Sequence, residues 1–509
     1  MDINFLSKKF LSAALFLSVL SACSNASSCY DVRTPLSSTG VNLEGLGVEL
    51  DPHFIAQNVT RNDGATLDDW QNIVVRRVEM MNIQRFRVML LPHWWEPVND
   101  NSDPQVADPN GFTFDTPEMR SVYAVLDLAQ KTGASVTLVV WGCPAHCSFI
   151  NEDTPSQGQR HFLCNKNGTN WVTAPEDNEE FAENFSVVVK HLIEDKGYTC
   201  VKEITPFNEP DGNVCESEQY IQIAKALDRR FRKDGIRDKV RFNLSDNTDC
   251  RRFFLKECAD NLADCADMFN SHTYMCGYES PNSYAFGWEK DNVDVVRKTG
   301  KPHFVGEFGS NLCVGASRQT DSNWYKRGVL ITRNCLNFLN AGAVGASYWS
   351  LIDQYYNRDA SYDAMQQLGL WRYKKCVYQG ADAEGCEEDY QPRPNYYAYS
   401  LLTRFVRKGD SVYPLDLQNE YAVGSAFRSA DGKWTYVFAN GSEDDLEFKL
   451  FNINDERLAD CDIYRYMEQD LPEDDSMISP SGVLKASGKS YKVTLPAQSV
   501  LLLEQKYSE

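Results

Sequence analysis

The sequence predicts an α/β protein: a (β/α)8 TIM barrel followed by a small C-terminal antiparallel β-sandwich. Three observations carry this expectation. From Gly45 to about Phe405, short apolar runs alternate with longer helical patterns. Eight such runs have the length and composition of strands. From Ser411 onward the pattern changes to alternating segments separated by hairpin turn signals.

The strand-like runs are Gly45–Leu50, Arg85–Leu90, Ser135–Trp141, Cys200–Pro206, Lys239–Leu244, Met268–Tyr274, His303–Glu307 and Gly345–Ser350. Helical periodicity stands out over Leu67–Met81, Glu118–Lys131, Glu179–Lys196, Ser217–Lys233 and Trp324–Ala341. Eight strands with helices between them close into a barrel, whereas a doubly wound sheet would want a glycine-rich phosphate turn after its first strand. Here Gly45-Leu46-Gly47 opens the strand and runs on into Val48-Glu49-Leu50, so that fingerprint is absent. A last helix, about Tyr396–Phe405, follows Pro392-Arg393-Pro394-Asn395. Beyond it, Trp434–Ala439, Leu446–Phe451 and Tyr491–Leu495 are broken by Asp431-Gly432 and Asn440-Gly441, both hairpin signals. The segment between Cys29 and Asn42 is placed to add a strand to this tail. The expected division is therefore a leader over 1–22, a barrel over 40–408 and a β-sandwich over 409–509. The acidic patch Glu384–Asp389 reads as a solvated loop.

The formal net charge of -21 argues against nucleic acid as a partner, because phosphates would be repelled. At the N-terminus, Lys8 and Lys9 precede an apolar run, Phe10–Leu20, too short to span a bilayer. It ends in Leu20-Ser21-Ala22-Cys23, followed by the polar stretch Ser24–Ser28. That resembles a bacterial lipobox and implies an exported lipoprotein with Cys23 as the lipidated residue, at the outer membrane, the cell surface or the periplasm. The plainer alternative is secretion with cleavage after small residues. The expected membrane attachment is through lipid alone, and a monomer is expected. Of the 16 cysteines, setting Cys23 aside leaves an odd number. Export makes disulfides the expectation for some of them, with Cys143 and Cys147, and Cys376 and Cys386, close in sequence. A zinc site at Cys143-Pro144-Ala145-His146-Cys147 lacks a second cluster at ligand spacing.

In a barrel of this kind, chemistry gathers where strands end and loops begin. The fourth run ends in Asn208-Glu209-Pro210 and the seventh in Glu307-Phe308-Gly309, placing two carboxylates at one rim. Cleavage of a glycosidic bond needs such a pair, one to protonate the leaving oxygen and one to attack or stabilise the anomeric carbon. Read singly, each residue has a structural alternative. Asn208 and Glu209 suit a helix N-terminus, Arg87 could balance charge inside the barrel, His272 could be a satisfied core histidine, and Trp349 could fill the core. It is their order along the strands that favours chemistry.

The pattern resembles clan A of the glycoside hydrolases, the retaining barrel enzymes that include families 5, 30 and 39, and the resemblance covers the whole barrel. It implies Glu209 as acid/base and Glu307 as nucleophile, with Asn208 at the sugar 2-hydroxyl. It further implies Arg87 supporting the nucleophile, and His272-x-Tyr274 after the sixth strand with the tyrosine bonded to the nucleophile. Trp349 would be an aromatic floor and Trp141 a contact at the third strand's end. The long loop Gly142–Asn178 reads as a wall of the cleft. Trp94, Trp95, Trp171, Trp288, Tyr355 and Tyr356 are the aromatic candidates for sugar subsites. The expected substrate is a β-linked oligo- or polysaccharide, an endo-β-glucanase being favoured, with no cofactor and no metal. The competing readings are a glycan-binding protein on an inactive barrel and a transglycosylase.

If Cys23 carries the anchor, Cys23→Ala should move the protein from the membrane fraction to the soluble one. Sedimentation with membranes after a high-salt wash would count against the lipobox reading.

Overall fold

Strand register explains the centre of the molecule. β1 (Gly45–Glu49), β2 (Arg85–Leu90), β3 (Ser135–Val140), β4 (Val201–Thr205), β5 (Arg241–Asn247), β6 (Met268–Thr273), β7 (His303–Phe308) and β8 (Gly345–Tyr348) pair in parallel, each with the next, and β8 closes on β1. These strands belong to a computed structural model that describes residues 29–52, 69–149, 153–212, 214–248, 252–314, 318–355, 365–372, 390–453 and 457–506. The leader with Cys23, the Cys376–Cys386 pair, the acidic patch Glu384–Asp389 and Tyr356 lie outside the described residues. Gly47 allows the tight approach of β1 to its neighbours: a Cβ there would meet Arg85 backbone at 2.7 Å and Ser347 at 2.9 Å.

Around the barrel run α1 (Arg76–Met81), α2 (Pro117–Thr132), α3 (Asn178–Lys190), α4 (Ser217–Lys233), α5 (Arg252–Leu262), α6 (Asn282–Arg297), α7 (Tyr325–Ala341) and α8 (Pro394–Phe405). Their ends follow local chemistry. The Thr116 hydroxyl accepts the Met119 amide at 3.2 Å, Pro117 fills the first position of α2, and Gly133 closes it at φ +75°. Two of the helical patterns contain π-type turns, Trp70–Val75 before α1 and His191–Asp195 after α3. Helices α5 and α6 are not among the stretches marked out by the sequence pattern.

Side chains inside the barrel form polar layers. Strand alternation points Arg85 and Arg87 the same way. Near the bottom, Arg85 and Arg241 pair with the buried Glu203, which also accepts the Thr137 hydroxyl at 3.0 Å. Burial pushes the Glu203 carboxyl up, but the two arginines outweigh it and hold it below the usual carboxylate value.

The tail forms two sheets. One has the order β9 (Ser411–Leu415), β10 (Ala422–Arg428), β11 (Trp434–Asn440), β16 (Ser499–Gln505), β13 (Cys461–Tyr466), β14 (Gly482–Leu484). The other joins the N-terminal strand Tyr30–Arg33 to β12 (Leu446–Phe451) and β15 (Ser490–Leu495). The larger sheet is apolar on both faces, with period two. Val437, Ala439 and Leu502 join the core of the barrel, while Tyr436, Phe438, Leu501 and Leu503 pack into the interior shared with Val32, Phe448 and Tyr491.

The expected Cys143–Cys147 disulfide is not present: both side chains are buried free thiols. Cys143 lies in a two-stranded ladder with Thr173, whereas the Cys147 amide bonds the Gln159 carbonyl, so the two backbones lead away from each other. Burial pushes the Cys147 thiol up to about 12, which leaves it protonated and unreactive.

Leu502 is fully buried where the larger sheet meets the barrel. Leu502→Ala should cost about 2–5 kcal/mol of unfolding free energy in a denaturant titration. Lys449→Ala, at an exposed position of β12, should stay within about 0.5 kcal/mol.

Candidate active site

The C-terminal ends of β4, β5 and β7 converge on one guanidinium carried by β2. Arg87 donates from Nη1 to Glu307 Oε1 at 2.6 Å, and from Nη2 to Asn208 Oδ1 at 2.7 Å and Asp246 Oδ2 at 2.6 Å. Burial opposes its charge, yet Asp246 and Glu307 more than compensate and raise its pKa above the usual arginine value. Glu307 is held on its other oxygen by the Tyr274 hydroxyl, 2.9 Å away. Burial first, then the Glu307 carboxylate, keep the Tyr274 phenol protonated and so a donor.

His272 stands between the two glutamates. Its Nδ1 is 2.8 Å from Glu209 Oε1 and 3.3 Å from Glu307 Oε2, while its Nε2 is 3.3 Å from Asp246 Oδ1. Burial disfavours the charged ring, but Glu307 and Asp246 outweigh it, and the pKa rises to about 10. The surrounding carboxylates favour the imidazolium form of His272. Burial raises the Glu307 carboxyl, with Glu209 adding to the effect, while His272 and Arg87 act against it. Three carboxyls and two cations are in direct contact here, and Glu49 at the end of β1 adds to the negative field around Arg87. An excess of negative charge favours one proton staying within the set.

Backbone geometry shapes the same site. Glu209 has φ +42°, and Ser245 and Asp246 at the end of β5 have φ +83° and +55°. Non-glycine residues in this region carry strain that the surroundings must hold in place. Gly309 lets β7 end beside the phenol: a Cβ there would sit 3.0 Å from the Tyr274 ring. Glu209 keeps a side-chain exposure of 34%, against 6% for Glu307, so only the former opens broadly to solvent.

The structure brings together Arg87, Asn208, Glu209, His272, Tyr274 and Glu307. Trp349 follows β8, with its ring edge-on to Trp141 at 5.9 Å, and Trp141 in turn meets Trp171 at 5.4 Å. Trp171, on the long loop after β3, is 58% exposed and offers a free face. Trp94, Trp95 and Trp288 do not reach the cleft surface. Trp94 and Trp95 are buried, Trp95 Nε1 donating 3.0 Å to the Asn184 carbonyl. Trp288 lies on the outer helix α6 beneath Arg252. Asp246 was missed. It follows the apolar run that ends at Leu244, and the rule that found Glu209 and Glu307, a carboxylate just past a strand's apolar run, applies to it equally.

One donor atom each from Glu209, His272 and Glu307 lies within 4.8 Å of the other two, a spacing a metal ion could use.

No family model and no curated protein matches the sequence. Among solved structures, the chain is similar to the catalytic domain of the family 30 glycoside hydrolase xylanase C from Talaromyces cellulolyticus. The TM-score is 0.65 at 15% identity, over 94% of this chain and 100% of that one. It is similar to an endo-β1,6-glucanase at TM-score 0.60 and 13% identity, over 94% of each chain. It is also similar to a family 39 glycoside hydrolase from the gut symbiont Bacteroides cellulosilyticus, at TM-score 0.57 and 14% identity, over 91% of this chain and 81% of that one. The chain has the barrel fold of these clan A enzymes.

The raised pKa of His272 fixes a pH dependence of stability. The folded state holds this proton more tightly than the unfolded chain, so the contribution is complete below about 6.5 and is lost as pH climbs to about 10. The parent should lose up to about 1.4 kcal/mol per pH unit across that window relative to His272→Gln. Parallel stability curves for the two proteins would show the ring to be uncharged.

Proposed function

We propose that this chain is a retaining glycoside hydrolase acting on β-linked glycans, with Glu307 as nucleophile and Glu209 as acid/base. The observation that carries the reading is the spacing of the two carboxylates: one oxygen of each lies within 4.8 Å of the other, with His272 alongside. Retaining enzymes hold their carboxyls about 5–5.5 Å apart, whereas inverting ones leave room for a water at roughly 6.5–9.5 Å.

The environments of the two glutamates suit different tasks. Glu307 is buried, with Arg87 on one oxygen and Tyr274 on the other, so its anion is aimed and cannot swing away. Glu209 is more open and is the one placed to exchange protons with a leaving group and then with water. In the first step Glu307 attacks the anomeric carbon as Glu209 gives its proton to the departing glycosidic oxygen. In the second, Glu209 takes a proton from water, and the resulting attack breaks the ester and returns Glu307 as a carboxylate. Asn208 gives its carbonyl oxygen to Arg87, which fixes the amide and leaves its Nδ2 hydrogens for the sugar 2-hydroxyl. Trp349, Trp141 and the exposed Trp171 make an aromatic run suited to the apolar faces of pyranose rings.

A β-glucan is the first substrate to test. Two of the similar structures, a xylanase and an endo-β1,6-glucanase, extend the panel to xylan and β1,6-glucan. The lipid anchor and the export of the chain remain part of this proposal.

Glu307→Ala should lower kcat on the order of 10⁴-fold or more with the fold intact by circular dichroism. Near-normal hydrolysis by that variant would overturn the assignment. Glu209→Ala should release a burst of phenolate from a dinitrophenyl glycoside and then turn over slowly, because glycosylation hardly needs the proton while deglycosylation lacks its base. Azide should speed the slow phase and give a β-linked product. An α-linked azide product would exchange the two roles. Absence of burst and azide effect alike would leave a protein that binds glycan without cleaving it.

A further inference from the structure

A cavity of about 860 Å³ opens where the β-sandwich meets the barrel, and no residue of the catalytic cluster lines it. Small-ligand clefts span roughly 300–1,000 Å³. Arg333 of α7 lines it from the barrel side, together with Tyr278 and Ser280 of the loop after β6. Tyr421 and Gly441 line it from the sandwich. Trp324, just before α7, also faces it and is 50% exposed, with its ring 5.9 Å from that of Tyr278.

Arg333 is the unusual member of this lining. It is 4% exposed, yet every acceptor it reaches is neutral. Its Nε donates to Asn282 Oδ1 at 3.2 Å, its Nη1 to the Tyr278 carbonyl at 3.4 Å and its Nη2 to the Ser280 carbonyl at 2.8 Å. A guanidinium carries five N–H groups, so two hydrogens are left over. No carboxylate among the described residues is in ion-pair contact with it. The other buried arginines are treated differently: Arg77, Arg85, Arg87, Arg230, Arg327 and Arg393 each touch a carboxylate. A charge withdrawn from water without a counter-ion is costly, and burial accordingly lowers the Arg333 pKa to about 10. The sandwich closes directly over it, since a Cβ on Gly441 would sit 2.7 Å from Arg333 Nη1.

We propose that this cavity is a second binding site, for an acidic sugar whose single carboxylate meets Arg333 and whose ring packs on Trp324. A planar guanidinium matches a carboxylate fork to fork, and the apolar face of a pyranose stacks on an indole. The rest of the lining narrows the choice of anion. Glu279, Glu443 and Asp444 also border the cavity, and Glu443 is engaged by Lys326 and Gln498, each at 3.1 Å. Their charge tells against phosphate, sulfate or a polyanion and leaves room for one negative charge beside Arg333. That the carboxylate arrives on a sugar rests on the glycosidase reading; that the cavity takes a carboxylate does not.

The probes are cellobiouronic acid, which is glucuronic acid β-linked to glucose, and cellobiose, which differs only in having CH2OH in place of the carboxylate. Each is titrated by calorimetry into the full chain, in the parent and in Glu307→Ala. The acid should bind about tenfold or more tighter than cellobiose, the preference expected of a hydrogen bond to a charged group, and should do so in both proteins. Arg333→Gln should lose that preference while keeping the parent's turnover of a chromogenic β-glycoside. Trp324→Ala, at an exposed position, should weaken the acid about tenfold, again with turnover kept. Equal affinity for the two sugars in the parent would overturn the proposal. So would a preference that survives Arg333→Gln, because the acid would then be held elsewhere. If Arg333→Gln does not fold, Trp324→Ala decides, and unchanged binding of the acid by that variant sinks the site. A chain that binds the acid through Arg333 but hydrolyses no glycoside would keep this site and lose the glycosidase reading instead.

Discussion

The site is organised by one buried guanidinium. Arg87 reaches from β2 across the mouth of the barrel to Glu307 near the end of β7, Asn208 after β4 and Asp246 near the end of β5. A charge taken this far from water is tolerable only with its partners in contact, and partners left behind by its removal would be buried and unpaired. The requirement runs both ways. The arginine holds three strand ends in fixed relation to β2, and the barrel's closure is what keeps the arginine from solvent. Arg85, two residues earlier on the same strand, does the same for Glu203 at the other end of the barrel. The interior is therefore two stacked polar layers, one spent on structure and the other holding the candidate chemistry.

His272 adds a second cation where many sites would use a neutral ring. Its charge comes from Asp246 below and the two glutamates beside it, and it sits closer to Glu209 than to Glu307. Beyond the effect of burial, the charge of Glu209 raises the Glu307 carboxyl directly, while the two cations act against it. Exposure then separates them: solvent reaches Glu209 far more easily than Glu307.

Much of this was legible in the sequence, because strand ends in a barrel leave a signature of apolar residues closed by polar ones. Glu209, Glu307 and Arg87 were found that way, and their strands ended within a few residues of expectation. Asp246 satisfies the same rule, standing just past Leu244; what the sequence does not carry is the continuation of the paired strand to Asn247 through two residues with positive φ. Trp94 and Trp95 failed in the opposite direction. An adjacent tryptophan pair on a loop looks like a sugar platform, yet the segment turns back under α3 and buries both rings. Cys143 and Cys147 were read from spacing alone, which says nothing about the ladder that carries them apart.

The small three-stranded sheet has a consequence for timing. Its first strand, Tyr30–Arg33, lies parallel to β12, and the neighbouring Thr34 hydroxyl bonds the Phe451 carbonyl 417 residues further on. A ribosome or a translocation channel delivers a chain from its N-terminus. The strand Tyr30–Arg33 then has no edge to join until β12, some 417 residues later, has emerged. Meanwhile the barrel strands meet neighbours much closer in sequence. The early segment waits without its partner, with Val32 the residue it will eventually bury, and its docking comes as a late stitch between segments far apart in the chain.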